Sequence, residues 1–233
     1  MCICAEQLHA QLCAMAEPSF AAFTRKLMPG VEGVLGVRLP KLRKLAKQIA
    51  KGDWRAYLRQ ARDTSYEEIM LQGMVIGYAP IPDDEVFDVV RWFVPKIDNW
   101  SVCDSFCITW KYAKAHPEAV FDFLQPFLQA QDAYAVRFAV VMLLDYYAQP
   151  DWLPRVFDAL DTVTHPDYYV RMAVAWAISM CCAADPEQTL LYLQRNTWED
   201  FTHHKAIQKI LESRQIAQDY KQRARALRRH GQR

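Results

Sequence analysis

The chain has 233 residues, 52% hydrophobic and 24% charged, with 12 Pro, only 7 Gly and a formal net charge of +1. That length can bury a full core without disulfide or metal staples, and the mix excludes disordered, collagen-like and low-complexity classes. No uncharged apolar run reaches the roughly 18 residues a membrane span needs: Met172–Ala184 is shorter and holds Ser179, and Tyr134–Leu144 is interrupted by Arg137. The start, through Glu6, has no basic residue ahead of its apolar part. It does not read as a secretory signal, so the expected location is cytoplasmic, in a bacterial-type cytosol or nucleoid.

Along the chain, the near-zero net charge conceals segregation. Residues 1–24 carry two acids and no Lys or Arg, residues 25–62 carry 11 basic and 2 acidic side chains, residues 63–200 carry 8 basic and 21 acidic, and residues 201–233 carry 9 basic and 2 acidic. Basic ends around an acidic middle permit a polyanionic partner without requiring one; solvated helix faces give the same pattern.

Helix is predicted almost throughout, because Gly is scarce, no Asn-Gly or Asp-Gly hairpin turn separates alternating apolar runs, and apolar residues recur at three- and four-residue spacing. Val86, Val89, Val90, Phe93 and Val94 do so, as do Val120, Phe121, Phe123, Leu124, Phe127 and Leu128, and Leu190, Leu191 and Leu193. Breaks fall at Pro80-Ile-Pro82, His116-Pro117, Gln149-Pro150, His165-Pro166 and Asp185-Pro186. A Pro at a helix start costs nothing, since its missing N–H would have no partner there. The breaks repeat. Segments beginning at Tyr66, Val102, Ala135, Tyr169 and His203 align so that Glu68, Asp104, Arg137, Arg171 and Lys205 share one register, at intervals of 36, 33, 34 and 34 residues. All but the last of these anchor helices precede a second amphipathic helix: Asp83–Phe93, Pro117–Leu128, Pro150–Leu160 and Pro186–Leu193. Two helices per unit at this period predict an all-α fold, an α-solenoid forming a curved superhelix with a concave groove. The expected organisation is one domain over residues 1–233 with about 5–6 repeats, residues 214–233 being a basic C-terminal helix or tail.

Seven cysteines without a signal read as reduced thiols. Cys2-x-Cys4 lies at the terminus. Cys103 and Cys107 share a helix face, and His203-His204 could complete a zinc site, but no second Cys pair has finger spacing and free Cys is commonly buried. No metal and no organic cofactor is expected.

The register places Glu68, Asp104, Arg137, Arg171 and Lys205 as a ladder on one wall. Two explanations stand: the charges pair between neighbouring repeats, or Arg137, Arg171 and Lys205 contact phosphates. Trp100 lies four residues before Asp104, on the same helical face. Trp176 lies five residues after Arg171 among Ala173, Ala175 and Ala177, which leave an indole room to project. Trp54, Trp92, Trp110, Trp152 and Trp198 are expected in the core.

The run Asp98-Asn-Trp100-Ser-Val-Cys-Asp104, with Val136-Arg137-Phe-Ala-Val and Val170-Arg171-Met-Ala-Val-Ala-Trp176, resembles the AlkD-type DNA alkylation repair proteins, alkylpurine DNA glycosylases built from HEAT-like repeats. Thr202–Ser213 and the early Gly36-Val-Arg38-Leu-Pro-Lys41 also resemble that family, so the similarity spans roughly residues 20–215. The resemblance implies a monofunctional glycosylase that excises cationic N3- and N7-alkylated purines from duplex DNA without drawing the base into a pocket. It implies Asp104 as the catalytic carboxylate, stabilising the oxocarbenium-like sugar and positioning water, Trp100 and Trp176 packing against the sugar and phosphate at the lesion, and Arg137 on DNA. Arg171, Lys205, Arg38 and Lys41 complete the expected DNA-binding set, on a protein acting as a monomer with duplex DNA as partner and no membrane. Two other readings share the fold: a catalytically silent DNA-binding protein, and a protein-interaction scaffold.

Overall fold

Helices in this chain start where a proline or a short polar side chain can meet the N–H groups that have no partner inside the helix. The computed structural model describes residues 5–229, so Cys2 and Cys4 lie outside the described residues. Among the described residues the regular elements are all helical, and no helix is long and apolar enough to cross a membrane. The contacts gather into two units, Met1–Tyr112 and Ala113–Arg233.

The first unit holds α1 (Ala5–Met15), α2 (Pro18–Leu27), α3 (Leu39–Ala50), α4 (Trp54–Gln60), α5 (Tyr66–Tyr78), α6 (Val86–Phe93) and α7 (Trp100–Thr109). On α3, Leu42, Leu45, Ala46 and Ile49 turn inward while its lysines and Arg43 face solvent, as the amphipathic pattern requires. Helix α5 is buried over most of its length and packs between α3 and α7. Two glycines permit this: a Cβ on Gly73 would lie 2.6 Å from the Phe93 ring, and one on Gly77 would lie 2.6 Å from Thr109 Cγ2 and 2.9 Å from its backbone carbon. The wholly buried Glu67 clamps the preceding loop, its carboxylate accepting from the N–H groups of Leu35 (2.9 Å), Gly36 (2.6 Å) and Val37 (3.1 Å). Gly36 sits at φ +95° with Glu17 O only 2.5 Å from where a Cβ would be, so only glycine fits.

A four-residue helix, α8 (Tyr112–Ala115), spans the division. The second unit continues with α9 (Pro117–Leu128), α10 (Ala133–Tyr146), α11 (Leu153–Asp161), α12 (Tyr168–Ala184), α13 (Pro186–Arg195), α14 (Asp200–Glu212) and α15 (Gln218–Ala226). Helix α10 packs on α9 and α12, α12 on α13 and α14, and α14 on α15. The outer helices also meet, with Phe157 of α11 stacked on Tyr192 of α13 at 4.2 Å. All five anchor helices and all four second helices form where the periodicity places them; Pro150–Trp152 is a 3-10 turn leading into α11. The tandem helix pairs of an α-solenoid are therefore present.

Some expectations change. Trp54, Trp110 and Trp198 are buried, but Trp92 is 43% exposed, its ring covered on one side by Lys96 Nζ at 3.9 Å. Trp152 is half-buried, under Arg155. The acidic middle has structural work: Asp132, Asp167, Asp185 and Glu199 each cap a helix, where the N-terminal dipole favours negative charge.

The basic C-terminal segment is fastened as far as it is described. Ala224 of α15 is buried and Arg223 forms a two-pronged pair with Glu187 at 2.6 and 2.7 Å. Arg229 donates to the carbonyls of Trp198 and Asn196. The buried His203 sits between Asn196 Nδ2 (3.1 Å from Nδ1) and the Leu227 carbonyl (2.9 Å from Nε2). A carbonyl can only accept and the amide NH2 can only donate, so Nε2 carries the proton and the ring is neutral.

Burial also holds this imidazole below its ordinary range. The unfolded chain takes up a proton there near pH 6.5 (about the model-peptide value) while the fold does not, so stability is full above that pH and falls as pH drops through it. Unfolding free energy is expected to decline from about pH 7.5 to about pH 5.5, by up to about 1.4 kcal/mol per pH unit from this group, and melting temperature to fall with it. His203→Gln, which keeps one donor and one acceptor, is expected to flatten that part of the curve; an unchanged profile contradicts the assignment.

Candidate nucleic-acid interface

In the first unit the candidate residues rise from the start of α7. Asn99, almost fully buried, caps the helix: Oδ1 accepts from Val102 N at 3.0 Å while Nδ2 donates to Asp98 Oδ1 at 2.7 Å. The buried face of α7 holds Val102, Cys103, Phe106 and Cys107, directed toward the α5 side of the core. Ser101 Oγ meets Tyr66 OH at 2.7 Å, a second tie to α5. Trp100 and Asp104, one turn apart on α7, are both half-buried.

Arg38 and Lys41, at the start of α3, both grip Glu17, at 2.7 and 3.0 Å. Arg38 also lies over the Phe20 ring at 4.7 Å. The hydrogen bond from Arg38, then that from Lys41, hold the Glu17 carboxyl below its usual range. Both cations remain about half exposed (52% and 45%), so these pairs are worth little in water and a stronger anion can compete for either partner.

The cations of the second unit are graded in depth. Arg137 on α10 is only 6% exposed and donates Nη1 to the Tyr169 carbonyl at 2.8 Å, so it bridges to the first turn of α12. Arg171 on α12 lies 3.8 Å from the Glu199 carboxylate at the start of α14, over the Phe201 ring at 4.6 Å, with its Nε buried and without a partner. Lys205 on α14 shares that ring at 5.8 Å and donates to Gln208 Oε1 at 3.0 Å. Trp176 is half-buried on α12, between the fully buried Ala175 and Ala177. Of the ladder, Arg171 pairs with a charge of the next repeat and Arg137 reaches that repeat through a backbone carbonyl, while Arg171 and Lys205 are half-buried. Glu68 is purely internal, buried against His9 and Thr64.

The sequence reading passed over Lys209, four residues after Lys205 and on the same face. Burial pushes its ammonium below the usual range, Glu212 opposes this, and the charges of Arg137 and Lys205 push it further down. A cluster of cations that repel one another is stabilised when an anion arrives. Beside it a shallow cavity of about 520 Å³ is lined by Phe201, His204, Lys205, Gln208, Arg228 and Arg229. These residues bring hydrogen-bond donors and an aromatic face but no carboxylate, which suits a phosphate ester.

Among the described residues no group of three or more His, Cys, Asp or Glu is arranged to hold a metal ion. The thiols and imidazoles weighed for zinc have other surroundings: Cys103 and Cys107 are fully buried in the α7 core, and His203 and His204 meet the carbonyls of Leu227 and Arg229.

The model of one protein family, described as DNA alkylation repair enzyme, matches residues 8–224. No curated protein matches the chain. The N-cap of α7 sets where Trp100 and Asp104 stand, so Asn99→Ala is expected to lower stability by about 1 kcal/mol. Urea denaturation checks this; a change under a few tenths of a kcal/mol would remove the cap from the account.

Proposed function

We propose that this chain, which belongs to the DNA alkylation repair enzyme family, is a monofunctional DNA glycosylase that releases N3- and N7-alkylated purines from duplex DNA by hydrolysing the N-glycosidic bond. The observation that carries the reading is the half-buried Asp104, one turn from the half-buried Trp100 on the same helix, in a chain matched over nearly its whole length by that family.

The chemistry asks for little machinery. An N3- or N7-alkylpurine already carries positive charge and leaves without being protonated. As the bond to C1′ lengthens, charge moves to the sugar, which becomes oxocarbenium-like. A fixed carboxylate facing that sugar stabilises the transition state more than the ground state and orients the attacking water. Asp104 takes this role. Trp100 offers an indole face that attracts the cationic sugar and shields the site from water, which strengthens the carboxylate's effect. Trp176 packs against the sugar–phosphate backbone by the same apolar face. Water is the only co-substrate.

Holding the duplex falls to the cations. Arg38 and Lys41 in the first unit, and Arg171, Lys205 and Lys209 in the second, offer charge to phosphates. Arg137, buried and tied to Tyr169, contributes mainly its field, and an arriving phosphate relieves the repulsion it shares with Lys209.

Methylated duplex DNA under single-turnover conditions, with freed bases quantified by chromatography, tests the reading. Wild-type protein is expected to release 7-methylguanine and 3-methyladenine and leave abasic sites. Asp104→Asn is expected to be slower by about 100-fold or more while binding the duplex with similar affinity. An Asp104→Asn rate equal to wild type ends the assignment of that residue. Salt-sensitive binding with no base release by wild type identifies the silent DNA-binding alternative instead.

A further inference from the structure

Helix α1 carries two side chains that the repair reading does not use. Cys13 is exposed, whereas Cys103, Cys107, Cys181 and Cys182 are buried. Its Sγ lies 3.5 Å from His9 Nε2, one turn earlier on the same helix. The other ring nitrogen, Nδ1, lies 2.9 Å from Oε1 of the buried Glu68, on α5. Glu68 is itself held, with Oε2 accepting from Thr64 Oγ1 at 2.6 Å. Burial alone would raise this carboxyl, but hydrogen bonds from Thr64, His9 and Ser65 outweigh it and keep Glu68 below its usual range.

An ionised carboxylate only accepts, so the proton of a neutral His9 sits on Nδ1 and a lone pair on Nε2 faces the Cys13 thiol. A nucleophile, a base within reach of it, and a third group orienting the base make up the arrangement that activates thiols and hydroxyls for attack. We propose that Cys13 is a peroxide-reactive thiol, with His9 as its base and Glu68 as a positioning residue. This inference stands apart from the glycosylase reading and uses none of its residues.

A hydroperoxide is the co-reactant that fits. It is small enough to reach an exposed thiol without a cavity, and its departing oxygen needs a proton that His9 can return. Sulfur attacks one peroxide oxygen as the thiol proton moves to Nε2. The S–O bond forms and the O–O bond breaks, and the leaving alkoxide or hydroxide takes the proton back from the imidazolium. The products are a Cys13 sulfenic acid and an alcohol or water; sulfur loses two electrons and the peroxide gains them. Other charges around the relay are the Glu6–Arg62 pair (3.2 Å), one turn before His9, and Lys41, which reaches the Met15 carbonyl at 3.3 Å and pairs with Glu17. The carbonyl end of α1 disfavours standing negative charge at Cys13. Proton removal in step with S–O bond formation avoids that cost.

The test uses the full chain carrying Cys2→Ser and Cys4→Ser, treated with hydrogen peroxide. Sulfenic acid is trapped with dimedone and located by peptide mass spectrometry. Cys13 is expected to oxidise at least about tenfold faster than in the same protein carrying His9→Gln at this half-buried position, with unchanged circular dichroism and melting checking that the variant is folded. Glu68→Gln, which removes the carboxylate that orients the His9 ring, is expected to slow the oxidation as well. Equal rates with and without His9 overturn the proposal.

Discussion

Each anchor helix begins at a side chain that meets its own backbone two or three residues on, and the rest of the structure counts from those points. Ser65, Asn99, Asp132, Asp167 and Glu199 cap α5, α7, α10, α12 and α14. A cap is worth about 1 kcal/mol, but its larger effect is on register. It fixes the residue at which the helical count starts and so the direction each later side chain takes. Trp100 is the first residue of α7 and Asp104 lies one turn on; Arg171 and Lys205 occupy corresponding turns of α12 and α14. A start displaced by one residue would rotate every one of these side chains by about 100°.

The same device accounts for the charge distribution. An excess of acids in the middle of a chain from a DNA repair family looks contradictory while charge is treated as a sum. Four of those acids sit at helix N-termini, where they meet backbone N–H groups. Others are paired on the second helices, as Glu118 is with Arg155. Basic residues on α12 and α14 meanwhile cluster around Phe201. Binding a polyanion requires only such a local concentration of cations.

What could be read from sequence was whatever is local. Helix periodicity, the proline breaks and the 33–36-residue register required only near neighbours, and the anchor and second helices form accordingly. The pairing of Trp100 with Asp104 on one face followed from helical spacing alone. Long-range partners were not legible. Nothing near Glu67 signals that it clamps the loop at Leu35–Val37, and nothing near Cys13 signals that a carboxylate 59 residues beyond His9 orients the imidazole. Trp92 misled because a large indole is ordinarily buried; here Lys96 covers one face and solvent meets the rest. Arg137 was expected at a DNA-facing register, but nothing near it in sequence signals that it is buried and bonded to the Tyr169 carbonyl of the next repeat.

The central claim is that a single carboxylate suffices because the departing base is already a cation. Duplexes of one sequence carrying either 7-methylguanine or O6-methylguanine, offered to excess wild-type protein, test it most directly. The two adducts differ by the position of one methyl group, and only the first makes the base positively charged. Release of 7-methylguanine with O6-methylguanine left in place is the expected result. Comparable release of both would contradict the claim, since a neutral purine cannot depart without a proton donor that this mechanism does not contain.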